Sequence, residues 1–343
     1  MMSSESWPVP VPDRAIWDVW LSHYQYPTLA CADQVGLFSA LEDGPLSLAD
    51  LSARVSLQPR PAEILVGMMA GLGFLRVDGS LYSLTAIART YLCPRSPFYW
   101  GPAFKSRTSP LQDQILHALR RDEAPGIEWG TSLSELWSED RMTAETCRAF
   151  TSAMHAQSAG PATRLAALPL VKDVRRLLDV AGGSGIFSLR LAECHAGLQT
   201  TILELPVTAR LTREYVRASP AADRVEIVEL DAFTQVWPAG YDAVLLSNVF
   251  HDWGATKCAQ LTRSAFESLS PGGRILVHEM VLAPDRSSPL SIVCFSMAML
   301  VQTEGKQYCL SELEEILAGA GFCNIEAQPS FGYFSVVAAR KPR

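Results

Sequence analysis

Residues Arg175 to Ile186 read Arg-Arg-Leu-Leu-Asp-Val-Ala-Gly-Gly-Ser-Gly-Ile, and the fold of the chain turns on them. A short apolar run enters a glycine string at Gly182, Gly183 and Gly185, and Ile186 to Glu193 resumes helical spacing. Strand, tight turn and helix in that order let backbone approach a ligand closely at a helix N-terminus, which is the build of a nucleotide site. From here to the C-terminus apolar strands alternate with helices, the pattern of a parallel sheet covered on both faces.

Working outward, Thr200 to Leu205 reads as a second strand that ends in Glu204, where a carboxylate can accept both ribose hydroxyls of a nucleotide. The glycine pattern and this acid suit a dinucleotide and S-adenosylmethionine nearly equally. Val225 to Leu230 reads as a third strand, with Asp231 at its carboxyl end placed to meet an adenine amino group and Phe233 near the ring. Tyr241 to Ser247 is a fourth strand and runs into Asn248-Val249-Phe250-His251-Asp252-Trp253. Pro271-Gly272-Gly273 turns the chain into a fifth, Arg274 to Glu279. After Ala320-Gly321-Phe322, the runs Asn324 to Ala327 and Tyr333 to Ala339 stand too close for a parallel crossover, so they must pair antiparallel. Dehydrogenases do not need that ending.

These segments resemble the class I small-molecule O-methyltransferases of plants and bacteria, the caffeate, acetylserotonin and polyketide-tailoring type. The matching stretches are Asp179 to Gly185, Leu203 to Pro206, Leu230 to Phe233, Phe250 to Trp253, Pro271 to Glu279, Thr303 to Tyr308 and Ala320 to Phe322, in family order. The resemblance implies an α/β fold, a Rossmann-like seven-stranded methyltransferase sheet with its last strand antiparallel, joined to a mostly helical N-terminal winged-helix dimerisation domain. It implies S-adenosylmethionine as cofactor, S-adenosylhomocysteine as product, and a cradle made by Asp179, Gly182, Gly183, Gly185, Glu204, Leu205, Asp231, Ala232, Phe233 and Ser247. His251 would be the general base, flanked by Glu279 and Glu304. The chain departs from many members at Ala181, where glycine is usual, at Glu204, where Asp is, and at Ser247, where plant members carry lysine.

The chemistry suits those residue types. A sulfonium is already a strong electrophile, so the protein has to align an acceptor and remove its proton. A phenol has a pKa of about 10, and a positioned histidine typically contributes ~10²–10⁴-fold in such a transfer. A carboxylate on the far ring nitrogen fixes the tautomer. The acceptor expected is a small hydroxylated metabolite of the phenol or enol type. A thioether sulfur or a carbon acceptor would fit the same scaffold, with His251 orienting rather than deprotonating, and a non-methylating cofactor-binding homologue would keep only the fold. Phe150, Met154, His155, Asn248, Trp253, Met297 and Met299 are candidates for the acceptor's walls, although apolar stripes of this kind are core more often than pocket. His278 points away from Glu279 along the strand and reads as packing.

The N-terminal part is different in pattern. Trp17 to Cys31 and Ala32 to Leu41 are apolar at helical spacing, and Ser47 can cap a helix carrying Leu48, Leu51 and Val55. Pro61 to Leu72 opens on proline and stops at Gly73. Phe74 to Val77 and Leu81 to Leu84 flank Asp78-Gly79, a dipeptide suited to a tight hairpin. Such an outline often binds DNA, but residues 1–100 hold six arginines and no lysine against nine acids. That balance favours protein contact, here a homodimer. We expect this dimerisation domain over 1–100, a helical connector over 101–165 that is interrupted at Pro110, Pro125-Gly126 and Gly160-Pro161 and contributes to the substrate pocket, and the cofactor-binding domain over 166–343.

Composition narrows the partners. The 343 residues are 48% hydrophobic and 19% charged, which fits a globular enzyme and not a disordered chain. A net charge of −7 with scattered cations offers no stripe for a phosphate backbone, so nucleic acid is not expected. No apolar run reaches the ~18 residues that span a bilayer, and Met1 to Pro12 lacks a signal-peptide pattern, so no membrane association and a cytoplasmic location are expected. The eight cysteines never approach C-x-x-C spacing and the six histidines form no H-x-x-x-H pair, so we expect reduced thiols and no metal.

Overall fold

The computed structural model describes residues 8–126, 131–138 and 141–343. Contacts divide the chain into two compact units. One is formed by Ala15–Glu135 together with Leu282–Cys309; the other by Leu136–Val281 and Leu310–Arg343 with the residues up to Arg14.

The first unit is helical around a small sheet. Ser47 caps the helix Leu48–Val55, its Oγ accepting from the Asp50 N–H at 3.2 Å. The helix Pro59–Gly71 begins on prolines, whose missing N–H costs nothing in the first turn. Its chain continues into an antiparallel sheet of β1 (Leu46–Ser47), β2 (Leu75–Asp78) and β3 (Leu81–Leu84), in the order β1-β3-β2. The hairpin loop is Gly79-Ser80, one residue later than the Asp78-Gly79 expected. This register sets Leu75 opposite Leu84 and Val77 opposite Tyr82, and it buries Leu75, Tyr82 and Leu84. Burial of the apolar face outweighs the turn dipeptide, because a one-residue slip would send every side chain to the other face. The helix Leu290–Gln302 is buried from Ser291 to Val301 without a polar face. The loop after it is braced by Arg60, which donates to the carbonyls of Thr303 and Gly305 at 3.3 and 2.8 Å while pairing with Asp122 at 2.7 Å.

The second unit holds seven strands: β4 (Arg176–Val180), β5 (Gln199–Glu204), β6 (Val225–Glu229), β7 (Tyr241–Ser247), β8 (Leu269–Met280), β9 (Cys323–Pro329) and β10 (Phe334–Arg340). Their order is β6-β5-β4-β7-β8-β10-β9. β4 to β8 pair in parallel, whereas β10 runs antiparallel to both β8 and β9, the ending read from the short gap between the last two strands. The chain starts at the centre, winds out to β6 and returns to β7. Its switch point therefore lies between the carboxyl ends of β4 and β7, where open α/β sheets bind ligands. On one face Ile186, Phe187, Leu191 and Leu165 bury against Leu177, Leu245, Leu276 and Val336. Each such side chain is worth about 1.5–3 kcal/mol.

The helix Ala144–Ala166 runs unbroken through Gly160-Pro161, contrary to the interruption expected there. Proline removes one hydrogen bond, but Pro161 is buried, and a Cβ at Gly160 would stand 2.7 Å from the Phe331 ring. The glycine admits that ring, and the packing holds the helix through the weak point. Among the described residues no helix is long and apolar enough to cross a membrane.

Candidate active site

The turn after β4 is tight because its residues permit it. Gly183 and Gly185 have φ of +58° and +77°, and a Cβ on Gly182 would meet Ile202 at 2.9 Å and the Asp179 carboxylate at 3.0 Å. Ala181 adopts φ +53° without being glycine, a conformation costing about 1–2 kcal/mol for an L residue. Beneath the turn Asp179 is buried and accepts from the Ser188 hydroxyl at 2.8 Å, tying β4 to the helix Ile186–Cys194. Burial pushes its carboxyl up to about 6.

Glu204, at the end of β5, faces the turn. Its two oxygens accept the N–H groups of Gly183 and Leu205, both at 2.8 Å. Burial pushes Glu204 up to about 7 against the pull of those two hydrogen bonds. Asp231 follows β6 and is engaged by its own loop: its oxygens accept from the Phe233 N–H at 2.9 Å and the Thr234 hydroxyl at 2.7 Å. The carbonyls of Ala232 and Phe233 are held by Trp237 and Gln260. Ser247, at the end of β7, stands 2.9 Å from His278 Nδ1. That histidine is fully buried between Phe187 and Phe334, and burial lowers it to about 3, so it is a neutral packing group.

Beyond Asn248, whose φ is +56°, a single turn of 3₁₀-helix spans Phe250–Asp252. Glu279 of β8 organises it. One carboxylate oxygen accepts the N–H groups of Val249 and Phe250, each at 2.9 Å, and the other accepts from His251 Nδ1 at 2.6 Å. The dyad is buried, with His251 6% and Glu279 3% exposed, so the ring is oriented without competition from water. Burial opposes a charge on His251, but the Glu279 carboxylate outweighs it and pushes the imidazole up to about 9. Asp252 Oδ1 lies 3.7 Å from Nε2. Burial raises that carboxyl to about 7, so it is only partly ionised near neutrality and Glu279 is the partner that dominates. With Nδ1–H committed to Glu279, the basic lone pair is on Nε2, the arrangement of a proton acceptor.

An aromatic row adjoins this turn. Trp253 lies 4.8 Å from Phe233 and 5.9 Å from Trp137, which in turn meets Phe150 at 5.7 Å, and Lys257 sits 4.2 Å over Trp253. Phe150, Trp253 and Phe233 are thus brought into one row, and the sequence reading does not single out Trp137, whose partners only the fold reveals. His155 is placed against the glycine turn, 2.9 Å from Ser184 Oγ. Met154 is half-buried on the same helix. Glu304, Met297 and Met299 belong to the other compact unit. There the two methionines are buried in the helix Leu290–Gln302, and the Glu304 N–H donates to Ser134 at 3.2 Å.

Comparison with known proteins gives the family. An O-methyltransferase domain model matches residues 111–323, and an O-methyltransferase dimerisation domain model matches residues 17–94. The 3-hydroxy-5-methyl-1-naphthoate 3-O-methyltransferase of Streptomyces sahachiroi is 32% identical over 297 residues, 86% of this chain and 85% of that protein. An O-methyltransferase family 2 protein from Planctomyces limnophilus, solved in complex with apigenin, superposes with a TM-score of 0.88 at 27% identity, covering 99% of both chains. Human N-acetylserotonin methyltransferase, solved with S-adenosylmethionine, gives 0.62 at 25% identity and full coverage of both. The chain belongs to the S-adenosylmethionine-dependent O-methyltransferase family.

Proposed function

We propose that the chain methylates a phenolic or enolic hydroxyl of a small, planar, largely apolar metabolite, with His251 as general base. The observation that carries this reading is the Glu279 carboxylate, which holds the His251 ring at 2.6 Å and, through its other oxygen, the two N–H groups of the turn on which that ring sits. The residues fit an adenosyl group: a Cβ at Gly183 would meet nothing within 4 Å, and Glu204 presents a buried carboxylate beside it. Glu204 would take the ribose hydroxyls, Asp231 the adenine, and Gly182, Gly183, Gly185, Leu205, Ala232, Phe233 and Ser247 the remainder of the cradle, with Asp179 bracing it from below. When bound, the cofactor supplies an electrophilic methyl, and the protein's task is alignment and proton removal.

In this reading Nε2 of His251 accepts the acceptor's proton as its oxygen becomes methylated, and Glu279 stabilises the imidazolium that results. The row of Phe150, Trp137 and Trp253, with Met154 and Asn248, would form a wall for a flat acceptor. The naphthoate and apigenin of the relatives' names are of that shape. Ile16, Val19 and Trp20 are exposed on the helix Arg14–Leu21, and we assign the N-terminal domain to pairing two copies through such a surface. All eight cysteines are free thiols, which accords with a reducing, cytoplasmic setting.

The test is incubation with S-adenosylmethionine labelled in its methyl group and a panel of phenols, enols, thioethers and keto acids, hydroxynaphthoates included. Label on oxygen with one S-adenosylhomocysteine formed per product is expected. Label on carbon or sulfur, or no S-adenosylhomocysteine at all, would overturn the assignment.

A further inference from the structure

We propose that His155 is a positioning residue of the cofactor site: from the helix Ala144–Ala166 it fixes Ser184, and through Ser184 the glycine turn in its receptive form. The proposal rests on the reading of that turn as the cofactor cradle. The turn's own backbone contributes one closing hydrogen bond, from the Gly185 N–H to the Gly182 carbonyl at 2.8 Å, and Ser184 within it is flanked by glycines at φ +58° and +77°, which leave its peptide planes otherwise free to rotate. Three contacts with other elements add to it. The Gly183 N–H is held by Glu204 at 2.8 Å, the Gly183 carbonyl accepts from the Thr212 hydroxyl at 2.6 Å, and Ser184 Oγ lies 2.9 Å from His155 Nδ1.

The histidine is itself fixed. Its ring stacks on Tyr215, with centroids 4.6 Å apart and planes at 24°. Tyr215 lies three residues beyond Thr212 on the helix Pro206–Ala218, so one helix face braces the turn directly and backs the histidine that braces its next residue. Burial and the neighbouring Arg190 hold the imidazole below its ordinary pKa, neutral near pH 7, so the ring keeps one nitrogen free of its proton. Ser184 is 3% exposed, and losing this partner would leave a nearly buried hydroxyl to reorganise together with the turn. His155 therefore acts on cofactor affinity, in place of the role as an acceptor wall that its position in the sequence suggested.

Two substitutions separate the hydrogen bond from the packing. His155→Phe keeps a ring against Tyr215 but has no nitrogen, and His155→Asn keeps a polar atom near the Nδ1 position. Titration of the full chain with S-adenosylhomocysteine in a calorimeter should show about five- to tenfold weaker binding for His155→Phe, the range of one lost hydrogen bond. Binding should return to within about threefold of wild type in His155→Asn. Ser184→Ala should weaken binding by a similar factor, and the double variant His155→Phe/Ser184→Ala should be no weaker than either single one. Unchanged affinity in His155→Phe, or losses that multiply in the double variant, would overturn the proposal. Glu204→Gln measured alongside tells the two readings apart: if it binds like wild type, the cradle itself is misassigned and His155 falls with it. If it has lost affinity while His155→Phe has not, the histidine alone is misassigned.

Discussion

At the residue scale the site depends on which proton sits where. Glu279→Gln is a sharper probe of this than truncation. The amide oxygen would stay with the Val249 and Phe250 N–H groups, which can only donate, so the NH₂ would face the His251 ring. Nδ1 would then have to accept, and Nε2 would carry the proton and cease to be a base. Turnover should fall by about 10²–10⁴-fold with S-adenosylhomocysteine affinity kept, and a loss under tenfold would mean that tautomer control is not what Glu279 does. The same dyad sets a pH dependence. His251 is pushed up to about 9 and only its neutral form accepts a proton, so kcat/KM should climb as pH rises from 6 and level off no higher than about 9. A bound sulfonium would move that midpoint down. A rate that falls over this interval would contradict the assignment. Ala181 is a separate case: its φ of +53° predicts that Ala181→Gly gains about 0.5–1 kcal/mol by denaturant unfolding, the relief of the left-handed strain less glycine's entropy.

At the element scale the strands and the positions at their ends were legible in the sequence. The strand-end positions of Glu204, Asp231, Ser247 and Glu279 follow from counting strands between turn signals, because parallel strands in an open sheet all end at the ligand edge. Ser47 as a helix cap was equally plain, and Ser47→Ala should cost about 1 kcal/mol in thermal or denaturant unfolding. What escaped was decided by partners distant in sequence. The hairpin loop moved one residue because Leu75, Tyr82 and Leu84 needed burial, and the helix Ala144–Ala166 ignored its proline because Phe331 packs on Gly160. Nothing local announced that the loop after β6 would give each Asp231 carboxylate oxygen a hydrogen bond of its own.

At the scale of the whole molecule the division into units was the least legible feature. Leu290–Gln302 is apolar on every side, so its spacing names no partner, yet it folds with the N-terminal helices and takes the loop bearing Glu304 with it. Buried acids give the molecule a further property. Glu204 is pushed up to about 7, and ribose hydroxyls donating to it would favour the ionised form, so binding must expel a proton at and below that pH. Affinity for S-adenosylhomocysteine should therefore weaken as pH falls from 8 to 6, with protons released in calorimetry across two buffers, and Glu204→Gln should abolish the release. Equal affinity at both pH values would show that Glu204 does not meet the ligand.

The central claim is that one imidazole removes the acceptor's proton without helping to hold the cofactor. His251→Ala, assayed in parallel for turnover of any accepted phenol and for S-adenosylhomocysteine affinity, tests it most directly. The account predicts a loss of turnover of at least about 10²-fold with affinity within twofold of wild type. Retained turnover, or turnover and affinity lost together, would contradict it.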